Sequence, residues 1–191
     1  ALASLINDAP KVSVDIEISS ENSHLGEKYE VKGSPASQGM KDFVGGLQDD
    51  LQRIYFLSLQ VDSLRKTGAP DSLLQPLSVS WMALGDKIKG YSIASFEKEG
   101  DPAIFIFELG YYQRIAERFG MEPFTPQQEL AAINKAAEKF PSHTGLAAIK
   151  KDKIEQVEAT TRADEPKWVG KQAPDFSLPD PSGKAVKLSS F

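Results

Sequence analysis

Residues 35–66, PASQGMKDFVGGLQDDLQRIYFLSLQVDSLRK, decide the fold because they form one long amphipathic helical pattern. Ser34 supplies an N-cap side chain, and Pro35 stands at the first helical position, where its missing N–H costs nothing. The pattern ends at the breaker sequence 67–70, TGAP. Apolar or small side chains recur along one face at steps of three and four residues: Met40, Phe43, Leu47, Leu51, Ile54, Ser58, Val61 and Leu64.

The same signals predict four more helices. Asp101-Pro102 and Thr125-Pro126 each join a capping side chain to a proline, and Gln128 completes a capping box with Thr125. The predicted helices run from Asp71 or Leu77 to Lys98, from 101 to Gly120, from 125 to 140, and from 144 to 159. The sequence therefore predicts a mainly α protein, a bundle of about five helices over residues 34–159.

A short β-hairpin is expected before the bundle. Residues 11–18, KVSVDIEI, alternate strictly between apolar and polar side chains, as a half-buried strand does. Residues 28–32 repeat the pattern, with Tyr29 and Val31 facing inward. Two strands alone are only marginally stable in water, so we expect this pair to pack on the helices, on a second copy, or on residues before Ala1.

The C-terminal residues change character twice. Residues 160–167, TTRADEPK, lose all periodicity and are predicted to form a charged linker. Beyond them, the extended pieces 176–178 and 185–188 flank the turn sequence PDPSG at 179–183. This arrangement predicts a second, C-terminal β-hairpin.

The last segment resembles the entrance of the thioredoxin and peroxiredoxin superfamily, above all the envelope thiol–disulfide oxidoreductases of the TlpA type. The pattern is G-x-x-A-P-D-F-x-L, a short turn with G-K, and x-V-x-L-S. The resemblance implies that residues 168–191 begin a thioredoxin-like domain that is truncated at Phe191, and no residue of the pattern is catalytic. The motif residues are Gly170, Ala173, Pro174, Asp175, Phe176, Leu178, Asp180, Gly183, Lys184, Val186 and Leu188.

The start of the chain carries a second resemblance. Residues 29–43, YEVKGSPASQGMKDF, are similar to the end of a domain of unknown function that precedes thioredoxin-like domains in envelope proteins of some Gram-negative bacteria. There a β-domain ends in V-x-G-S and runs into a helical segment. The resemblance implies that residues 1–33 are the end of such a β-domain, and that the protein works in the periplasm or cell envelope.

These resemblances imply a non-catalytic region of a thiol–disulfide oxidoreductase, which positions the redox domain or mediates dimer and client contacts. The chain has no cysteine, so the exchanging pair is expected beyond Phe191, and no catalytic residue, cofactor or metal is predicted here. The expected partners are client proteins with disulfides and a second copy of the chain. Two alternatives stay open: a helical binding or assembly module with no redox role, and the accessory region of a peroxiredoxin.

Composition argues against several other classes. The net charge of −5 disfavours nucleic acid, and no run approaches the roughly 18–20 apolar residues that cross a bilayer. His24 and His143 lie far apart without acidic neighbours at ligand spacing, so solvated histidines are expected.

Acidic and aromatic residues within the helices are predicted to be structural. Asp49 and Asp50 point in different directions and are expected on a solvated face. Among the aromatic residues, Phe107 and Tyr111 fall outside the core stripe of their helix and are the candidates for exposure. The expected core stripe of that helix contains Phe105, Tyr112 and Phe119.

Overall fold

The computed structural model describes residues 5–18, 26–164, 175–179, 181 and 183–187, and it is mainly helical. It confirms the predicted five helices, the N-terminal β-hairpin and the C-terminal β-hairpin. The elements are β1 (Ser13–Ile18), β2 (Gly26–Lys32), α1 (Pro35–Lys66), α2 (Asp71–Lys98), α3 (Pro102–Phe119), α4 (Pro126–Lys139), α5 (Thr144–Asp164), β3 (Ser177–Pro179) and β4 (Ala185–Lys187).

The chain divides into two compact units, Ala1–Lys153 and Ile154–Phe191. In the first unit α1 packs against α2 and α3, and α3 also contacts α4. None of the described helices is both long enough and apolar enough to cross a membrane.

Local capping explains why three helices begin where they do. The Ser34 hydroxyl accepts a hydrogen bond from the Ser37 backbone N–H at 3.0 Å, ahead of proline at the first position of α1. Asp101 accepts from the Ala103 N–H at 2.7 Å in the same way at α3. Thr125 and Gln128 form the predicted capping box of α4. These starts are confirmed at the predicted residues.

The N-terminal hairpin is antiparallel and lies against the start of α1. Val14 pairs with Val31, and Ile16 pairs with Tyr29. The segment ahead of the hairpin is held by hydrogen bonds to α1: the Ile6 N–H donates to Ser37 Oγ at 2.8 Å, and the Ala36 N–H donates to Asp8 Oδ2 at 2.9 Å. These bonds fix residues 6–8 on the N-terminal end of α1. Strand β2 also contacts α1, and the hairpin lies with the helices in the first compact unit.

One hydrophobic core fills the space between the helices of the first unit. Tyr112 lies at its centre with no exposed surface, and its hydroxyl donates to the Glu122 carbonyl at 2.6 Å, which satisfies the buried polar atom. The buried members of this core are Phe43, Leu47, Ile54, Ile88, Phe105, Leu109, Tyr112, Ile115, Ala116, Met121, Phe124, Ile133, Ala136 and Leu146.

Helix α2 begins at Asp71, the earlier of the two predicted starts, and keeps Pro76 inside. Proline there removes only the hydrogen bond to the carbonyl of Ser72, an exposed residue near the helix start. The Pro76 carbonyl in turn accepts from the Ser80 hydroxyl at 3.0 Å. The helix therefore tolerates this proline in its second turn.

Helix α5 runs to Asp164, beyond the predicted end at 159, so residues 160–164 of the expected linker are helical. The hydroxyls of Thr160 and Thr161 donate to the carbonyls four residues earlier, both at 2.9 Å, and no glycine or proline interrupts the segment. A charged segment without apolar periodicity is therefore not by itself evidence for a linker, since residues 160–164 continue the helix. Residues 165–167 lie outside the described residues.

Candidate functional site

The predicted motif residues that are described fall on the C-terminal hairpin. Leu178 of β3 pairs with Val186 of β4, and Gly183 has the positive φ, 84°, that favours glycine in the connecting turn. Phe176 and Leu178 are 54% and 62% exposed. Asp175 precedes β3, Lys184 follows Gly183, and five motif residues lie outside the described residues: Gly170, Ala173, Pro174, Asp180 and Leu188.

A surface cavity of about 410 Å³ lies between α2, α3 and α4 of the first unit. Its walls are mostly apolar, and the aromatic side chains of Phe96, Phe105, Phe124 and Phe140 contribute to them. The rings support one another, since Phe96 lies 5.7 Å from Phe105 and 5.8 Å from Phe124, measured between ring centroids. These walls are therefore formed by side chains already packed into the core.

Charged side chains surround the rim of this cavity. Lys135 of α4 pairs with Glu97 of α2 at 3.7 Å, and both side chains are well exposed. The Lys139 ammonium donates to the backbone carbonyl of Glu99. The Glu99 carboxylate accepts from two backbone N–H groups, at 2.7 Å from Gly100 and 2.8 Å from residue 101. Among the described residues, the rim has two lysines: Lys135 is bonded to a carboxylate and Lys139 to a backbone carbonyl.

A buried carboxyl group, Glu108 of α3, faces α2 and is only 1% exposed. The Ser95 hydroxyl donates to Glu108 Oε1 at 2.6 Å, whereas Oε2 has no hydrogen-bond partner in the described part of the chain. Burial raises the pKa of Glu108 to about 7; the Ser95 hydrogen bond opposes the rise, and the negative charge of Glu99 adds to it. This group is therefore protonated or ionised according to pH near neutrality.

Two sequence predictions on helix faces are wrong. Phe107 and Tyr111 are partly buried and pack against the core, with the Tyr111 ring 5.9 Å from that of Phe43. Asp50 is 6% exposed and forms an ion pair with Lys87 at 2.7 Å. In both cases the periodicity of one helix predicts an exposed side chain, and a neighbouring helix covers it. Helix α1 packs on Tyr111, and Lys87 of α2 pairs with Asp50.

The C-terminal half of α1 carries three exposed, largely apolar side chains, which we call the α1 patch: Tyr55, Phe56 and Leu59. Their exposed fractions are 48%, 54% and 47%, and the rings of Tyr55 and Phe56 lie 6.0 Å apart. Contiguous exposed aromatic and aliphatic side chains commonly mark interaction surfaces.

Across the described ranges, no three His, Asp or Glu side chains are placed to hold a metal ion together. At the start of α5, His143 Nδ1 accepts a hydrogen bond from the Leu146 backbone N–H at 3.1 Å. That bond gives the imidazole a helix-capping role.

Comparison of the chain with protein-family models, with curated proteins and with solved structures finds no match.

Proposed function

We propose that this chain is the non-catalytic region of a thiol–disulfide oxidoreductase of the periplasm or cell envelope. The observation that carries the proposal is the C-terminal motif together with its hairpin. Leu178 and Val186 of the motif pair across it, and Gly183 provides the turn. The helical unit would position the redox domain or contact client proteins.

The exposure of the hairpin supports this assignment. Two strands of three residues each cannot bury an apolar face between them. Phe176 and Leu178 of this hairpin are 54% and 62% exposed. A thioredoxin-like domain would supply the sheet that these side chains cover.

The chemistry of the parent protein would be dithiol–disulfide exchange. A cysteine thiolate attacks one sulfur of a client disulfide, a mixed disulfide forms, and the second cysteine releases the reduced client as the parent becomes oxidised. The present sequence has no cysteine, so both sulfurs would come from residues outside it.

The test is thiol counting on the natural full-length protein from its cell envelope. The protein is alkylated with and without prior reduction, and its intact mass is measured. Two cysteines that become reactive together support the proposal. One peroxide-sensitive cysteine would instead favour a peroxiredoxin, and the absence of redox-active cysteines would refute any redox role.

A second candidate function, assembly of two copies of this chain, is favoured by the α1 patch. Positions 49, 52, 56, 59, 63 and 66 recur at steps of three and four residues and are all exposed. They therefore form one solvent-facing side of α1, with Phe56 and Leu59 at its middle. The proposed partner is the same face of a second copy.

The charges along this face suit an antiparallel pair. In a twofold arrangement centred on the middle of segment 49–66, the two patches meet and the flanking charges have opposite signs. Such a pattern selects one register and one orientation. The facing pairs are Phe56 with Leu59, Arg53 with Asp62, and Asp49 with Lys66.

Sedimentation equilibrium over a wide concentration range tests the assembly. Asp62→Arg sets like charges against each other in both symmetry-related pairs, so dimerisation should weaken. The double variant Arg53→Asp/Asp62→Arg restores opposite charges and should restore the dimer. Glu138→Arg, which makes an equal charge change at an exposed position of α4, is the control. A wild-type chain that stays monomeric would refute the assembly without affecting the redox proposal.

A further inference from the structure

We propose that the cavity between α2, α3 and α4 binds a small amphipathic carboxylate. The apolar part would lie among the phenylalanine rings, and the carboxylate would meet Lys139 at the rim. This site does not depend on the redox proposal, because its residues all belong to the helical unit.

The shape and walls of the cavity favour a ligand with an apolar body. Its volume, about 410 Å³, lies in the lower part of the range of about 300–1,000 Å³ that is usual for small-molecule sites. Phe105 and Phe124 are 2% and 7% exposed, so two of the walls are fixed by core packing. A preformed apolar wall requires little ordering when a ligand enters.

The rim charges favour one negative charge at one position. Glu97 is already paired with Lys135, and the Glu99 carboxylate is engaged by two backbone N–H groups. The hydrogen bond described for Lys139 goes to a neutral carbonyl, so Lys139 can bind a carboxylate without breaking an ion pair.

A carboxylate suits this rim better than a phosphate. The carboxylates of Glu97 and Glu99 line the same cavity and would repel a dianion more strongly than a monoanion. The Lys139 ammonium also lies 5.6 Å from the centre of the Phe140 ring, which places the cation beside the apolar wall. The Lys139 ammonium thus lies at the edge of an apolar cavity, an arrangement that matches an alkyl or aryl carboxylate.

Binding is tested with straight-chain acids kept below their micelle-forming concentrations, by amide chemical-shift titration of the whole chain. We expect affinity to rise by about fourfold for each added CH₂ from hexanoate to octanoate, until the cavity is full. Octanamide, which has the same alkyl chain as octanoate and a neutral head group, should bind about two- to fivefold more weakly, because the ion pair it lacks is solvent-exposed. Shift changes should centre on the cavity residues.

Three variants locate the site. Ala131 is exposed and lines the cavity, so Ala131→Trp should fill the mouth without disturbing the core and should reduce octanoate affinity at least tenfold. Ala147→Trp, at an exposed position of α5 that does not line the cavity, is the matched control and should bind normally. Lys139→Gln should leave octanamide affinity unchanged and remove the preference for octanoate.

Several results would overturn the proposal. They are equal affinity for octanoate and octanamide in the wild-type chain, unchanged octanoate binding by Ala131→Trp, or shift changes that centre on the α1 patch instead of the cavity. Absence of binding at millimolar octanoate would overturn it as well.

Discussion

The two halves of α1 differ sharply although both carry large apolar side chains. Leu47 in the first half is 1% exposed, whereas Leu59 in the second half is 47% exposed. Along the core-facing stripe, Ile54 has no exposed surface, whereas Ser58, Val61 and Leu64 beyond it are only partly buried. Full burial along the helix stops at Ile54.

The cause of this difference lies in the neighbouring helices. In the first half, Phe43 packs on Tyr111 of α3, and Gly39 lies against Ile104 of the same helix. Helix α3 has 18 residues and α1 has 32, so α3 is too short to cover all of α1. The comparison shows that coverage by neighbouring helices, as well as side-chain hydropathy, decides which apolar side chains of α1 are buried.

The largest expected effect tests this comparison with one substitution at two positions. Leu47→Ala should lower the free energy of unfolding by about 2–5 kcal/mol, because it leaves a cavity in the core. Leu59→Ala should change it by about 0.5 kcal/mol or less, since its side chain is half exposed. Urea unfolding at low protein concentration measures both values. Similar losses at the two positions would mean that a partner covers the second half of α1.

A second prediction concerns Glu108, the buried carboxyl group of α3. The pKa of Glu108 is about 7 in the folded chain, against an ordinary value of 4.5. Between these values the unfolded chain ionises while the folded chain keeps its proton, so the free energy of unfolding falls as pH rises and levels off above about 7. The expected loss is on the order of 2–3 kcal/mol.

Glu108→Gln removes this titration and still accepts the Ser95 hydrogen bond, so urea unfolding of the variant should lack the fall between pH 5 and 8. It should also be more stable than the wild-type chain at pH 8. Glu138→Gln, which changes an exposed side chain of α4, is the control and should follow the wild-type curve. A wild-type curve that rises over this interval would contradict the assignment.

The sequence predicts the helices well because their limits depend on neighbouring residues. Ser34, Asp101 and Thr125 each bond to a backbone N–H within three residues, and a proline follows each of them. The burial of Glu108 could also have been predicted from the sequence. The residue lies three positions after Phe105 and four before Tyr112, on the core stripe of α3. Periodicity places such a residue on the buried side but cannot show its partner Ser95, which belongs to another helix.

The cavity could not be predicted in this way. Its walls come from α2, α3 and α4, and its shape depends on how those helices cross. The same limit explains Asp50, whose burial depends on Lys87 of α2. Sequence patterns of one helix therefore predict a capped start and an apolar stripe, whereas sites between helices require the packed structure.

The smallest expected effect separates two adjacent glycines in the first half of α1. A Cβ at Gly45 would meet no neighbouring atom within 4 Å, so Gly45→Ala should stabilise the chain by about 0.5–1 kcal/mol through helix propensity. A Cβ at Gly46 would overlap the Tyr91 hydroxyl and displace a ring that packs 5.7 Å from that of Phe43. Gly46→Ala should therefore be less stable than Gly45→Ala by about 1–2 kcal/mol.

Thermal or urea unfolding of the two glycine variants gives this difference directly, and a Tyr91→Ala background identifies its origin. With the ring removed, Gly46→Ala should gain as much stability as Gly45→Ala, because only the propensity difference is left. The same gain in the presence of Tyr91 would mean that the ring moves aside freely. In that case, the close packing of the first half of α1 would not extend to the side that faces α2.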